Sequence, residues 1–330
     1  MARRRPSIAT ALKESLPQDS GILVALSGGK DSSVMLNAAL GVARLRNLRV
    51  EACHVDHGFR ANSAEDAGFV AGMCKELGVE CRVVRLGAKP PQANLEAWGR
   101  EHRYRVLREV REERKLDWIA TAHNANDVAE TLLIRLLANK ELGSIERRDE
   151  SRRVLRPLLD ISREQIDEYA AQHSVAFQED PTNADTTLVR NRVRHTVLPL
   201  LARDFDPSMV WILSERAQAL AADSEALKLV AENVARELGG VQEGEPAWLE
   251  RCAATLTAQP EALRWRVAEA LALPLVGFPL GENRSKSLVG FFTGGCSALQ
   301  LTAEITLEQD RFGIRVKTEK LKVVRTLGLG

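Results

Sequence analysis

Cysteine is scarce in this sequence, and its few copies are far apart. The 330 residues contain five, Cys53, Cys74, Cys81, Cys252 and Cys296, and no C-x-x-C pair occurs. Structural zinc sites and cysteine redox motifs usually place two thiols at a short, regular spacing. The pattern therefore predicts buried free thiols and argues against a structural zinc or iron–sulfur site.

The sequence also lacks a charge excess and long apolar runs. It has 46 basic and 45 acidic residues, so no global positive field indicates a nucleic-acid partner, and any RNA site must be a local patch. No apolar stretch approaches the length of a membrane span, and the basic start is not followed by the apolar run of a signal peptide. We expect a soluble, cytoplasmic protein. The hydrophobic content of 45% is enough to fill packed cores and excludes a wholly disordered chain.

Short apolar strands alternate with helical periods between residue 21 and about residue 122. The sequence predicts strands at 22–26, 49–55, 80–86 and 117–121, and helices at 33–43, 64–77, 94–115 and, further on, 126–137. Such alternation is typical of an α/β fold with a doubly wound, Rossmann-like parallel sheet. Ligands of these folds bind at the carboxyl ends of the strands.

The rest of the chain has a different texture. Residues 139–153 are polar without an apolar period and predict a mobile loop, whereas Ser162 and Gln165 have capping-box spacing and predict a helix that extends to His173. After Asp206 and Pro207, residues 209–238 predict one or two helices, and short β-like runs follow at 314–317 and 321–325. We therefore expect a larger domain at 1–206 and a smaller C-terminal helical and α+β domain at 207–330.

The strongest local signal is L-S-G-G-K-D-S-S at residues 26–33, between the first strand and the first helix of the sheet. Two glycines let the backbone approach an anion, serine hydroxyls can donate, and the helix start offers unpaired N–H groups. The Walker A pattern is absent. A strand followed by S-G-G-x-D-S resembles the PP-loop of the ATP pyrophosphatases. That resemblance implies cleavage of ATP between its α- and β-phosphates, with a substrate oxygen activated as an adenylate.

Four further segments follow in an order that resembles the tRNA(Ile)-lysidine synthetase family. They are H-V-D-H-G at 54–58, N-L-E-A at 94–97 with H-R-Y at 102–104, T-A-H-N-A-N-D-V-A-E-T at 121–131, and E-D-P-T-N at 179–183 with R-N-R-V-R at 190–194. The resemblance covers about residues 20–200. It implies an ATP- and Mg²⁺-dependent ligase that adenylates the wobble cytidine of tRNA(Ile) with a CAU anticodon. The amine of L-lysine then attacks, giving lysidine, AMP and pyrophosphate.

The resemblance and the chemistry together select the candidate site residues. The nucleotide-binding candidates are Ser27, Gly28, Gly29, Lys30, Asp31, Ser32 and His54, although Lys30 occupies the variable position of the loop and can be a mere solvated charge. The catalytic candidates are Asp31, Arg103, His123, Asp127, Glu130 and Arg190. For His57, a packing role and a role at the site explain the sequence equally well.

Each type of candidate has a chemical reason. Asp31 and Asp127 offer the hard oxygen ligands that Mg²⁺ prefers. Asp127 and Glu130 lie three residues apart on one helix, so they share a face that can receive a cationic amine. Glu130, Asp127 or His123 could accept the amine proton, and the sequence does not choose among them.

The arginines divide into two groups. Arg103 and Arg190 are the ones that we expect on phosphates or on the RNA backbone. Arg192 and Arg194 continue the segment of Arg190 without being selected. We interpret Arg100, Arg105, Arg108, Arg111 and Arg114, which share the helix of Arg103, mostly as a solvated face.

Departures from the family pattern leave alternatives open. Asn124 and Asn126 stand where the family has a histidine and an aspartate, and Ala138-Asn139-Lys140-Glu141 replaces a glycine-rich segment. One alternative is therefore a paralogue that adenylates a tRNA base and attaches an amine other than lysine. The other hypotheses are a tRNA-thiolating PP-loop enzyme, a small-molecule synthetase of the same fold, and a non-catalytic nucleotide- or RNA-binding relative.

The C-terminal region offers a candidate tRNA-gripping patch of Lys317, Lys320, Lys322 and Arg325. A protected edge strand guarded by lysines explains the same residues equally well. A homodimer is compatible with the sequence, which does not fix the oligomeric state.

Overall fold

The structure is a computed structural model that describes residues 5–56, 63–86, 95–138, 144–179 and 187–318. The chain divides into two compact units, Met1–Gln218 and Ala219–Gly330. This division comes later than the domain boundary expected after residue 206. Leu213 and Ala217 account for the difference, because they pack in the first unit against a small cluster that includes Val128.

The first unit is built on a six-stranded sheet flanked by helices. Its elements in chain order are α1 (Ile8–Ser15), β1 (Gly21–Ala25), α2 (Lys30–Arg46), β2 (Arg49–Asp56), α3 (Ser63–Glu76), β3 (Cys81–Arg85), α4 (Leu95–Glu113), β4 (Trp118–Ala120), α5 (Ala125–Leu137), β5 (Arg148–Asp149), β6 (Val154–Leu155), α6 (Arg163–Gln172), α7 (Val189–Arg192) and α8 (Leu198–Asp204). A π-helical turn, Val193–Val197, joins α7 to α8. The alternation of strands and helices confirms the predicted α/β class.

The strand order is β3-β2-β1-β4-β6-β5, and every pair is parallel except β5 with β6. Strand β1 is central and almost fully buried, with separate apolar clusters around Val24 and Leu23. The chain order reverses between β1 and β4, which makes their carboxyl ends the switch point where ligands of such sheets bind. The phosphate-loop candidate follows β1, and the segment with His123 follows β4.

Two predictions about the later part of the first unit have different outcomes. The capping box at Ser162 and Gln165 is confirmed, with both reciprocal hydrogen bonds present at the start of α6. The interpretation of 139–153 as a loop without secondary structure is wrong for its later part, because Arg148 and Asp149 form β5. A strand of two residues is too short to produce a period in the sequence. Residues 139–143 lie outside the described residues.

The second unit combines helices with a small antiparallel sheet. Helix α9 (Met209–Leu238) runs from the first unit into the second, and α10 (Pro246–Ala258), α11 (Glu261–Val276), α12 (Glu282–Phe292), β7 (Ala298–Gln300), β8 (Ile305–Asp310) and β9 (Gly313–Thr318) follow. The sheet order is β7-β8-β9, and Trp248, Phe291 and Phe292 form the centre of the core. The predicted helical and α+β composition is confirmed. In the described ranges, no helix is both long and apolar enough for a membrane crossing.

Lys317 lies on the edge strand β9, where its Nζ is 2.7 Å from Glu308 Oε1 on β8. This cross-strand ion pair fits the protected-edge interpretation of that lysine. Lys320, Lys322 and Arg325, the other members of the predicted patch, lie outside the described residues, as does the predicted strand at 321–325. The tRNA-gripping role of this patch stays a prediction.

Candidate active site

The segment between β1 and α2 forms a compact anion cradle. Gly28 has a φ of +87°, and an added Cβ would lie 3.0 Å from Val70, so glycine suits this turn in both conformation and space. The hydroxyls of Ser27 and Ser32 are hydrogen-bonded at 3.0 Å, and Ser32 Oγ donates to the Gly29 carbonyl at 2.9 Å. Helix α2 begins after Gly29 without a side-chain cap. Its first N–H groups are therefore available to a ligand anion.

The Lys30 side chain contacts α6 and a residue that follows this helix. Its Nζ is 2.7 Å from Asp167 Oδ1 on α6 and 4.9 Å from the centre of the Phe177 ring. The Gln178 N–H also donates to the Gly28 carbonyl at 2.9 Å. Contacts with α6 and with the residues after it therefore stabilise the loop, and the Lys30 side chain makes two of these contacts.

Asn124 connects the two carboxylates expected near Mg²⁺. Its Nδ2 donates to Asp31 Oδ2 at 2.9 Å, and its Oδ1 accepts the Asp127 N–H at 3.1 Å. Asp127 Oδ2 accepts the Asn124 N–H in return, which completes a capping box at the start of α5. The asparagine that departs from the family pattern therefore has a definite structural task.

The pKa of the Asp31 carboxyl group lies above its usual value. Burial raises its pKa to about 6, with Arg163 opposing this effect and the negative charge of Asp127 adding to it. A cationic ligand beside Asp31 would favour the carboxylate form, so the position is suited to a cation that arrives with the nucleotide.

An acid–arginine cluster, formed by Asp127, Glu130, Arg163, Arg190 and Arg194, lies beside Asp31. Arg190 Nε donates to Glu130 Oε2 at 2.9 Å, and Arg194 Nε donates to Glu130 Oε1 at 2.7 Å. Arg163 is 3.7 Å from the same Oε1, and Arg190 also reaches Asp127 Oδ1 at 3.0 Å. Glu130 is fully buried. Guanidinium groups therefore occupy both oxygens of the carboxylate on the face predicted to receive an amine.

The helix that carries Arg190 and Arg194 is shaped by a proline. Pro199 has no N–H to donate, and the Leu198 N–H bonds to the Val193 carbonyl five residues earlier, which is the π-helical spacing. Arg190 lies in the turn before this π segment, and Arg194 lies within it. They approach the same carboxylate, Glu130, from successive turns.

The two candidate histidines are held differently. His54 is buried, and its Nδ1 donates to the Leu26 carbonyl at 2.9 Å, so it supports the start of the phosphate loop. His123 Nδ1 is hydrogen-bonded to Thr121 Oγ1 at 3.0 Å. Burial lowers the pKa of His123 to about 4; Asp127 opposes this effect, while Arg156, Arg103 and Arg100 reinforce it. The imidazole is therefore neutral at pH 7.

The structure brings most of the sequence-selected residues into one neighbourhood. Hydrogen bonds connect Asp31, Asp127, Glu130 and Arg190, and the charges of Asp127 and Arg103 act on His123. His57, the Asn94 position and the segment 180–186 lie outside the described residues, so the roles suggested there stay predictions.

Sequence reasoning passed over three arginines, Arg156, Arg163 and Arg194. Arg194 follows Arg190 by one helical turn, and that spacing could have signalled a shared target. Arg156 and Arg163 carry no such local signal, because their partners depend on how β6 and α6 meet α5.

No group of three or more His, Cys, Asp or Glu side chains among the described residues could hold a metal ion. The described cysteines are all free thiols, and burial raises the pKa of Cys53 and of Cys252 to about 12. These two thiols stay protonated and are poor nucleophiles at neutral pH.

A strand, a glycine turn and a helix at the switch point of a parallel sheet occur in several nucleotide-binding folds, and the turn S-G-G-K-D-S at residues 27–32 is typical of the PP-loop class among them. In agreement with this, the chain matches the PP-loop domain family over residues 4–201. A tRNA(Ile)-lysidine synthase from Thermobifida fusca is 33% identical over 93% of this chain and 87% of its own length, and one from Gloeobacter violaceus is 35% identical over 80% and 79%. The chain belongs to the tRNA(Ile)-lysidine synthase family.

Other members of the family are longer. The chain spans about half the length of several curated relatives that it matches. One example is the tRNA(Ile)-lysidine synthase of Thermosipho africanus, where 37% identity covers 56% of this chain and 44% of the relative. Among solved structures, a U34-tRNA thiolase from Methanococcus maripaludis, which carries a [4Fe-4S] cluster, has a TM-score of 0.56 over 65% of this chain and 78% of its own, at 18% identity. That likeness concerns the fold.

Proposed function

We propose that the protein modifies the wobble cytidine of tRNA(Ile) with a CAU anticodon in two steps. ATP first adenylates the base and releases pyrophosphate, and the amine of L-lysine then displaces AMP to give lysidine. Family membership supports this substrate and this amine, and a tRNA substrate implies a cytoplasmic location. The observation that carries the proposal is the Asn124 bridge, which ties the carboxylate beside the phosphate cradle to the acid–arginine cluster.

In this proposal the loop binds the phosphates of ATP, and the arginines stabilise the negative charge that develops during the reaction. The uncapped start of α2 and the hydroxyls of Ser27 and Ser32 bind the β- and γ-phosphates that leave as pyrophosphate. Arg190, whose side chain is 40% exposed although it contacts two acids, can turn one N–H toward the developing negative charge.

Mg²⁺ fits this donor set at Asp31. The carboxylate lies beside the phosphate cradle, where Mg²⁺ would be bound by one or two carboxylates together with phosphate oxygens. Asp127 fits less well, because the Asn124 N–H and two arginines already use its oxygens. When bound, the ion would neutralise charge on the leaving pyrophosphate.

The described contacts suggest a different role for Glu130 from the one inferred from the sequence. Because Arg190 and Arg194 occupy both of its oxygens, we assign Glu130 to orienting these arginines rather than to holding the lysine ammonium. His123 is a weak base at a pKa of about 4. Its neutral ring can hydrogen-bond the base or the amine without adding charge.

The first step is tested by Asp31→Ala. With γ-labelled ATP and total tRNA, wild type should release labelled pyrophosphate in a tRNA-dependent manner, and Asp31→Ala should lose this activity while its circular dichroism spectrum stays unchanged. Glu76→Ala, which removes an exposed carboxylate from α3, is the matched control and should behave like wild type. Unchanged pyrophosphate release by Asp31→Ala, or release of orthophosphate and ADP by wild type, contradicts the proposal.

A further inference from the structure

A second group of arginines lies around Tyr104 and close to His123. We call Arg100, Arg103, Tyr104, Arg152 and Arg156 the arginine–tyrosine patch. The guanidinium carbons of Arg100, Arg103 and Arg152 lie 5.5, 5.6 and 6.0 Å from the centre of the Tyr104 ring. The patch therefore joins α4 to the turn between β5 and β6, two elements that are about fifty residues apart in the chain.

The patch has more positive charge than its neighbours neutralise. Among the described residues, Arg100, Arg103 and Arg156 have no ion pair with a carboxylate, and Arg152 reaches Asp149 only at 3.9 Å. The acid–arginine cluster differs, because each of its arginines pairs with Glu130. Neighbouring guanidinium charges without counterions repel one another, and a bound anion relieves that repulsion.

Two buried polar atoms in the patch also lack a described partner. Arg156 is only 4% exposed, and its Nε makes no hydrogen bond; the same holds for the buried hydroxyl of Tyr104. An unsatisfied buried donor costs about 1–3 kcal/mol, so native proteins usually provide a partner. Both atoms can donate to an oxyanion.

The patch borders the candidate active site. Arg156, Arg103 and Arg100 each help to lower the pKa of His123, which places their charges close to the ring at the carboxyl end of β4. Arg152, in the turn between β5 and β6, is 62% exposed in its side chain, so the patch also reaches the protein surface.

We infer that the arginine–tyrosine patch binds the phosphodiester backbone of the substrate RNA beside the base that is modified. This inference rests on the proposed function and names a contact surface for its polymeric substrate. A series of cations that extends from buried Arg156 to exposed Arg152 suits a chain of phosphates. The triphosphate of ATP already has the cradle at the start of α2, so the patch is a second anion site with a different occupant.

The inference is tested by removing two exposed charges from the patch. In the double variant Arg100→Gln/Arg152→Gln, the Kd for a CAU anticodon stem-loop RNA should rise at least about tenfold. The slope of log Kd against log salt concentration should become shallower by about 1 to 2, since each lost phosphate contact removes about 0.7 to 0.9. The Kd for ATP, measured by equilibrium dialysis of the same protein, should stay unchanged.

The matched control is Arg44→Gln/Arg105→Gln, which removes the same charge from exposed positions on α2 and α4 outside the patch. It should change the RNA Kd by less than about twofold. Unchanged RNA binding by the patch variant overturns the inference, as does an equal loss in the control. A weaker ATP Kd with normal RNA binding assigns the patch to the nucleotide instead and also overturns it. If wild type itself does not bind the RNA, the proposed function fails together with the inference.

Discussion

Glu130 is a fully buried carboxylate whose neighbours are three arginines. Removing one partner of a buried ion pair is expensive, because the remaining charge stays desolvated; losses of about 3–5 kcal/mol are typical. Arg190 is partly exposed and can be hydrated after the loss, which reduces the cost. The cluster is therefore a structural unit as well as a candidate site for charge stabilisation.

We expect Glu130→Gln to lower the free energy of unfolding by about 2–3 kcal/mol and to slow pyrophosphate release, because Arg190 and Arg194 lose their orientation. Urea denaturation and the γ-labelled ATP assay measure the two effects. Glu101→Gln, which changes an exposed carboxylate on α4, should alter neither. A variant with wild-type stability and normal pyrophosphate release that forms no lysine adduct would instead return Glu130 to the amine-holding role.

His123 provides a prediction about pH. Its pKa is lowered to about 4 in the folded protein, against about 6.5 in an unfolded chain. Between these values the unfolded state binds more protons, so this residue makes stability fall as the pH drops from 6.5 toward 4 and contributes nothing to the slope above pH 7.

His123→Gln should therefore lose less stability than wild type between pH 7 and pH 5, by on the order of 1–2 kcal/mol. Urea denaturation of both proteins at the two pH values measures this difference. Parallel loss of stability in wild type and variant would mean that neither burial nor the nearby arginines lower the pKa of His123.

At the scale of elements, the phosphate loop is held by α6 through Lys30. The Lys30–Asp167 pair is partly exposed, and such pairs contribute no more than about 1 kcal/mol to stability. Its effect should appear in nucleotide binding instead, because the contact fixes the turn that precedes α2.

Asp167→Asn should consequently raise the KM for ATP about two- to fivefold with little change in kcat or in the melting temperature. Glu168→Gln, at the next and equally exposed position of α6, serves as the control. A lower KM in Asp167→Asn would show that Lys30, once released, binds the phosphates directly, which would contradict the positioning role.

Short sequence patterns predicted helices and strands well. They could not predict side-chain contacts between segments that are far apart in the chain. The capping box of Ser162 and Gln165 spans three residues, so the sequence contained all of it. The bond between Arg190 and Glu130 joins positions 60 residues apart, and the Asp31–Asn124 bond spans 93. Neither has a periodic signature. Asn124 looked like a defect in a motif because its partner, Asp31, lies in another motif.

At the scale of the whole molecule, a net charge of +1 conceals an uneven distribution. The arginines near the candidate site form two groups. One group is paired with Glu130 and Asp127, whereas the other has a single carboxylate contact among the described residues, between Arg152 and Asp149 at 3.9 Å. The near-zero net charge excludes a positive field over the whole molecule. It gives no information on where arginines gather locally. Our account assigns the paired group to the chemistry and the other group to the RNA.

The central claim is that this arrangement forms lysidine in tRNA(Ile). The most direct measurement incubates the purified protein with CAU-anticodon tRNA(Ile), ATP, Mg²⁺ and isotope-labelled lysine, and then analyses the digested nucleosides by mass spectrometry. Our account predicts a cytidine whose mass has increased by that of labelled lysine less one water, and its absence in Asp31→Ala. Unmodified cytidine in wild type, or incorporation of a different amine or of sulfur, would contradict the account.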